Sequence, residues 1–267
     1  MNTGKAIRMN NIFRKDTGKS VIVAFDHGGI AGPMDGINEP AKVIQACVDG
    51  GADGVLTTRG FIKAAEGAFD RSLAIVLRLT GGFTVLGGKF EEEMITSVET
   101  ALRYGSAGAA VTVKFGHERE GFFTKQASLT ADSCEEWGMP LMIEAMARGN
   151  GRDGKPLKST DPAGVKLASR AAAEIGADMV KTYYTGDPDS FAEVVEGCMV
   201  PVVVLGGAKT DSIKDVFSDV YYSIQAGGSG IAIGRNIWQH ENTTSMVEAM
   251  CGIVHEGWSV DQAMAHI

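Results

Sequence analysis

The chain has 267 residues, 44% hydrophobic and 22% charged, with 35 glycines and a formal net charge of −8. That length suits two small domains or one α/β barrel of about 250 residues, with core enough to need neither disulfides nor structural metal. The acidic balance argues against a nucleic-acid-coating protein, and no apolar run approaches the roughly 20 residues that cross a bilayer.

The first 19 residues lack the apolar core of a signal peptide. The four cysteines (Cys47, Cys134, Cys198, Cys251) are scattered without paired spacing, so buried thiols in a reducing compartment are expected. Both features predict a cytoplasmic protein.

Along the chain, β-branched runs alternate with helical segments. The predicted strands are 20–28, 52–60, 72–82, 107–116, 140–149, 177–186, 201–209 and 229–238. The segments between them (38–51, 61–69, 90–105, 122–138, 161–176, 187–198 and 212–228) read as helices, with 241–257 and 259–267 closing the chain. Runs such as VIVAF, VVVL and IAI are apolar on both faces, as parallel strands covered by helices must be. Several helices end in glycine just before the next strand, where a left-handed residue stops them. Eight strand–helix units fit a single-domain (β/α)8 TIM barrel over residues 1–267 better than a doubly wound sheet. The most loop-like stretch, 149–160, follows the fifth strand on the face where barrel enzymes keep mobile active-site loops.

In such a barrel the chemistry belongs at the C-terminal strand ends. The polar residues there are Asp26, His27, Arg59, Arg78, Lys114, Glu144, Arg148, Lys181, Lys209 and Arg235. Lys181 differs from the rest because it lies within a strand, on the face of Met179 and Tyr183. Pointing inward, its amine is either a desolvated nucleophile for a carbonyl or a structural ion-pair partner of Asp26 or Glu144. The segments LGGAK (205–209) and GSGIAIGRN (228–236) follow the seventh and eighth strands. Their glycines let backbone amides approach an anion, and Arg235 with Lys209 would add charge, so a phosphate site is expected there.

The set AFDHG (24–28), VKTYYTGD (180–187), VVLGGAK (203–209) and GIAIGRNIWQ (230–239) resembles the archaeal-type class I aldolases. That group spans fructose-bisphosphate aldolase, aminodideoxyheptulosonate synthase and autoinducer-2 phosphate thiolase. The resemblance covers essentially the whole chain. It implies a Schiff-base lysine at Lys181, an acidic partner at Asp26, and phosphate contacts at Gly206, Gly207, Gly234 and Arg235. His27, Tyr183 and Arg148 are further candidates for contact with substrate; His27 could equally orient Asp26. The implied reaction makes or breaks a C–C bond in a small phosphorylated ketone and needs no metal or organic cofactor. The implied assembly is a homo-oligomer, often a decamer; Trp258 and Met264 could pack between subunits or cap the barrel's own core.

One position departs from the family pattern. Where the aldolases carry Tyr-Pro-Arg-Gly after the fifth strand, this chain has Met146-Ala147-Arg148-Gly149. A thioether cannot move protons, so another group must take the acid–base role. Glu144, two residues earlier on the same strand face, would serve with a raised pKa, or would simply pair with Lys181 or Arg148; Tyr183 and Asp26 are the other candidates for the role. The missing tyrosine keeps the thiolase alternative open, with coenzyme A as co-substrate. A non-enzymatic phospho-sugar binding protein is the remote third reading, and a metal-dependent aldolase lacks clustered ligands.

Overall fold

Eight parallel strands close on themselves, with helices between them. The computed structural model describes residues 3–87, 91–150, 154–210 and 212–267. In chain order its strands are β1 (Ser20–Ala24), β2 (Gly54–Thr57), β3 (Ala74–Arg78), the short pair β4 (Thr80–Gly81) and β5 (Glu93–Met94), β6 (Gly108–Phe115), β7 (Leu141–Ala147), β8 (Met179–Tyr183), β9 (Val202–Leu205) and β10 (Gly230–Ile233). All but β4 and β5 form the closed barrel, in the order β1-β10-β9-β8-β7-β6-β3-β2. This is the predicted TIM barrel.

Strand alternation sorts the core into two layers. Ile22, Leu56, Val76, Met142, Met179 and Val203 face the barrel interior, whereas Val21, Val23, Val55, Val202 and Val204 face the helices. The helices begin where their sequences say they should. Asp161 and Asp187 cap the amides of Gly164 and Ser190, with proline as the first helical residue in Pro162–Glu174 and Pro188–Gly197. The predicted stop residues Gly51, Gly105, Gly138, Gly176 and Gly227 all have positive φ.

Two local readings are corrected. The predicted helix 90–105 is shorter, covering only Val98–Arg103, where the Ser97 side chain accepts from the Thr100 amide. Glu93–Met94 instead pairs antiparallel with Thr80–Gly81. The Gln126 side chain fixes that hairpin by accepting from the Met94 amide (2.9 Å) and donating to the Glu92 carbonyl (3.4 Å). These are tertiary bonds that a local helical pattern does not reveal. The run 229–238 divides into β10 and a short helix, Arg235–Trp238. The N-terminal segment, not assigned to an element from sequence, is a helix (Thr3–Ile12); Ile12 and Phe13 join the inward-facing core at the N-terminal end of the barrel.

Buried polar groups tie that same end together. Lys5 pairs with Glu135 and with Asp178 (3.1 Å). Asp53 accepts from the Val21 amide (2.6 Å), from Arg14 and, at 2.8 Å, lies against His255 Nε2. At the other chain end, Trp258 and Met264 are half-buried and pack against this chain's own core. Cys47, Cys134 and Cys251 are buried and Cys198 is half-buried; all four are free thiols. No helix among the described residues is long and apolar enough to cross a membrane.

Candidate active site

A cavity of about 320 Å³ opens at the C-terminal strand ends. Its lining brings together Asp26, His27, Glu144, Arg148, Lys181, Tyr183, Gly206, Gly207, Gly234 and Arg235, ten of the eleven candidate residues. Lys209 is the exception. Its Nζ donates to the Gln239 carbonyl (3.1 Å) on the exposed surface, because the turn after Gly207 carries the side chain away from the cavity. Arg59 is likewise exposed and outside the lining.

Lys181 points inward from β8 as the alternation requires and is 4% exposed. Its Nζ lies 2.9 Å from Glu144 Oε1. Glu144 sits on the neighbouring strand, in register with Lys181. The other Glu144 oxygen accepts from Arg78 Nη2. Arg78 also reaches Asp26 Oδ2 through Nε (2.9 Å) and Nη2 (2.6 Å), and Thr112 through Nη1 (2.8 Å). Two buried cations thus face two buried carboxylates, an arrangement that offsets the cost of desolvating each.

The charges set the protonation of both acids. Burial works against ionisation of Glu144, yet Lys181 and Arg78 outweigh it and bring its pKa down to about 2. Burial likewise opposes ionisation of Asp26, and Arg78, then His27 and Lys181, hold it well below the usual carboxylate range. The raised pKa expected for Glu144 is therefore corrected. Of the two roles open to Glu144, the pairing with Lys181 is the one observed, and Arg78 on β3 is the partner that sequence did not place beside it. Asp26 Oδ1 has no hydrogen-bond partner; His27 Nδ1 is 3.3 Å away without bonding alignment. Burial lifts the Tyr183 phenol above its ordinary value, with Glu144 adding to the shift.

The glycine segments after β9 and β10 form the opposite wall. Gly207 adopts φ +63°, a conformation that L side chains rarely take, and its amide donates to no acceptor among the described residues. A Cβ on Gly234 would stand 2.5 Å from the Ala24 carbonyl oxygen, so glycine there permits β10 to close on β1. Arg235 Nη2 donates to the Gly207 carbonyl (2.8 Å), while its Nε is buried without a partner. Asn236, not anticipated, braces the loop by donating to the carbonyls of Gly206 (2.9 Å) and Ala208 (3.2 Å).

Sequence reasoning placed Arg78 at a strand end but gave it no role. Its signal is a long cation at the inward position of a barrel strand, where only paired charge can reside. Thr80 and Glu92 were missed altogether because they arrive on the β4–β5 hairpin. Met146 does line the cavity where the tyrosine was expected. Within loop 149–160, residues 151–153 lie outside the described residues; Asn150 bridges to Pro156. Among the described residues there is no group of three or more His, Cys, Asp or Glu that could hold a metal ion.

Comparisons with known proteins identify the family and the fold. The profile of the DeoC/LacD family aldolases matches residues 20–240. The class 1 fructose-bisphosphate aldolase of Thermoproteus tenax is 33% identical over 246 residues, 90% of this chain and 91% of that protein. The 3-hydroxy-5-phosphonooxypentane-2,4-dione thiolase of Escherichia coli K12 is also 33% identical, over 97% of this chain and 85% of its own. Among solved structures, a Schiff-base-forming fructose-1,6-bisphosphate aldolase superimposes with a TM-score of 0.84 at 34% identity, covering 94% of this chain and 100% of that one. An archaeal fructose-1,6-bisphosphate aldolase with its catalytic lysine bound to a carbinolamine intermediate gives 0.83 at 33% identity, covering 94% and 99%.

Proposed function

The chain belongs to the DeoC/LacD aldolase family and is a class I aldolase; from that premise we propose that Lys181 supplies its amine and that the substrate is a small phosphorylated ketone of the dihydroxyacetone phosphate type. The observation that carries the reading is the inward Lys181, beside a carboxylate and facing a glycine-and-arginine wall across one cavity.

In this mechanism the Gly207 amide and Arg235 bind the phosphate, which sets the ketone carbon over Lys181. Lys181 passes its proton to solvent through the open cavity and attacks that carbon as the neutral amine to give a carbinolamine; its hydroxyl then takes up a proton and leaves as water, giving an iminium ion. The cation draws electrons from the neighbouring C–H bond, whose proton departs to leave an enamine. The enamine carbon then bonds to the carbonyl carbon of an aldehyde, and the new alkoxide takes a proton. Water finally hydrolyses the iminium, freeing product and Lys181. Cleavage runs the same steps backwards.

Protons must move at the carbinolamine, at the α-carbon and at the alkoxide. Glu144 is positioned for the first two. Its low pKa belongs to the resting state, in which Lys181 and Arg78 both lie against it. Once Lys181 is consumed in a neutral enamine, one of the two cations that hold Glu144 ionised is gone and the carboxylate accepts a proton more readily. Asp26 Oδ1, unpartnered, takes a substrate hydroxyl. The imine is the electron sink, so no metal or organic cofactor enters the proposed reaction; activity insensitive to chelators is the expected result. The active form is proposed to be a homo-oligomer, with the decamer as the size light scattering should test.

Borohydride trapping tests the core of this reading. Incubation with dihydroxyacetone phosphate should give a reduced adduct on Lys181, found by intact-mass and peptide analysis and absent from Lys181→Ala. No adduct with any phosphorylated ketone would overturn it. The Escherichia coli thiolase, as similar in sequence as the aldolase relative, favours a second reading in which coenzyme A takes an acyl group from a phosphorylated diketone. Product formation that requires coenzyme A would select it.

A further inference from the structure

The barrel order places the β4–β5 hairpin diametrically opposite the phosphate wall. β9 and β10, whose ends carry Gly206, Gly207, Gly234 and Arg235, are adjacent in the ring, and the point farthest from them lies between β6 and β3. Thr80 and Glu92 occupy that point. Thr80 Oγ1 accepts from the Thr112 amide of β6 (3.2 Å) and donates to Glu92 Oε2 (2.6 Å). Glu92 is 6% exposed, yet its side chain lines the cavity. Gln126 brackets its backbone from the helix Glu120–Trp137. A carboxyl group is thus carried into the cavity on a hairpin anchored to two barrel strands and one helix.

We infer that Glu92 is the acceptor-specificity residue of the proposed reaction, accepting hydrogen bonds from the hydroxyl groups of a polyhydroxylated aldehyde. This inference rests on the aldolase reading. With the donor phosphate at the β9–β10 wall and the reacting carbon at Lys181 on β8, the acceptor's far end reaches the β3–β6 wall. There the Thr80 hydroxyl spends its one proton on Glu92 Oε2 and accepts from the Thr112 amide. The carboxyl is the stronger hydrogen-bond acceptor left to meet the ligand. A carboxyl in that position suits hydroxyl donors and disfavours a second phosphate at the same point. A site built to bond a substrate hydroxyl discriminates against the analogue lacking it, whereas an apolar wall would not.

The test uses dihydroxyacetone phosphate as donor with two three-carbon acceptors, glyceraldehyde and propionaldehyde, the second lacking both hydroxyls. The readout is the ratio of kcat/KM for the two acceptors in the wild type and in Glu92→Ala and Glu92→Gln, so that the intrinsic reactivity of each aldehyde cancels. The ratio should fall by about tenfold in Glu92→Ala and by less in Glu92→Gln, whose amide oxygen still accepts. A ratio unchanged in both variants overturns the inference, as does a wild type that prefers glyceraldehyde 3-phosphate to glyceraldehyde. If Glu92→Ala does not fold, the Glu92→Gln ratio decides. Borohydride trapping on Lys181 of the wild type separates the failures: no adduct overturns the aldolase reading and this inference with it, whereas an adduct with unchanged ratios overturns this inference alone.

Discussion

Lys181 and Glu144 sit in register on adjacent barrel strands with their charged atoms 2.9 Å apart, and Arg78 grips the other oxygen of the same carboxylate. The ion pair is observed, and the proposed mechanism makes the same pair its reaction centre. Burial makes each charge dependent on the other, so any step that changes the charge on Lys181 moves the proton affinity of Glu144.

Glu144→Gln separates shape from proton transfer. Glutamine keeps the size and an acceptor for Lys181 but cannot carry a proton. General acid–base catalysis contributes about 10²–10⁴-fold, so kcat should fall within that range with a much smaller change in KM. Met146→Leu, similar in size and equally unable to move protons, should change kcat by less than about threefold. Steady-state kinetics on both variants checks this; a larger loss from Met146→Leu than from Glu144→Gln would assign the proton to other groups.

Arg78 should govern the acid stability of the protein. Asp26 and Glu144 are held below their ordinary values in the folded state, from 3.8 and 4.5, with Glu144 at about 2. A depressed carboxylate pKa contributes stability that is present above the unfolded value and lost as pH falls through the folded one. The wild type should therefore lose stability between about pH 4.5 and about pH 2. Arg78→Ala removes the first cation beside Asp26 and one of the two beside Glu144, and should cost about 3–5 kcal/mol at neutral pH. With one depressing cation gone from each carboxylate, its stability should vary less across the acid range than that of the wild type. Urea denaturation at neutral pH and at pH 4 measures both effects, and parallel pH profiles for wild type and variant would contradict the assignment.

The barrel was legible because eight apolar runs alternate with helical segments, and the inward placement of Lys181, Asp26 and Arg235 followed from alternation and strand ends. What escaped was set by contacts distant in sequence. Glu92 arrives on a hairpin whose residues 93–94 carry a helical pattern locally but are held extended by Gln126, some thirty residues on. The pairing of Glu144 with Lys181 was among the expectations, but Arg78 joins the same carboxylate from β3 through a contact that no local pattern reveals. Lys209 follows a strand end as Arg235 does, yet the turn at Gly207 aims it outward.

The Asp53 cluster at the opposite end of the barrel should matter to stability alone. Asp53 joins Arg14, His255 and the Val21 amide, while Thr17 Oγ1 lies 3.0 Å from His255 Nδ1. Asp53→Asn keeps the shape but removes the charge facing Arg14, which is itself 37% exposed. Solvent screening at Arg14 limits the loss to about 1–3 kcal/mol, below that of Arg78→Ala. Thermal denaturation should show the loss, while kcat and KM measured well below the transition stay within about twofold. A large kinetic effect would mean that this end of the barrel is coupled to the site.

Arg235 is the sharpest test of the phosphate wall, because its guanidinium is already anchored on one side and open on the other. Nη2 is spent on the Gly207 carbonyl, which holds the side chain in place, and Nε is buried without a partner. An unsatisfied buried donor is costly unless a ligand meets it. A phosphate oxygen there would gain a charge-assisted bond worth about 1.5–3 kcal/mol, or roughly 10- to 150-fold in affinity. Arg235→Ala should raise KM for dihydroxyacetone phosphate by that factor and leave the weak reaction of unphosphorylated dihydroxyacetone nearly unchanged. Arg235→Lys should recover only part of the loss, since an ammonium cannot bond Gly207 and the phosphate with the same planar fork. Inorganic phosphate should compete with the donor in the wild type and much more weakly in Arg235→Ala. Equal losses for the phosphorylated and unphosphorylated donors would show that Arg235 shapes the loop after β9 without touching the phosphate.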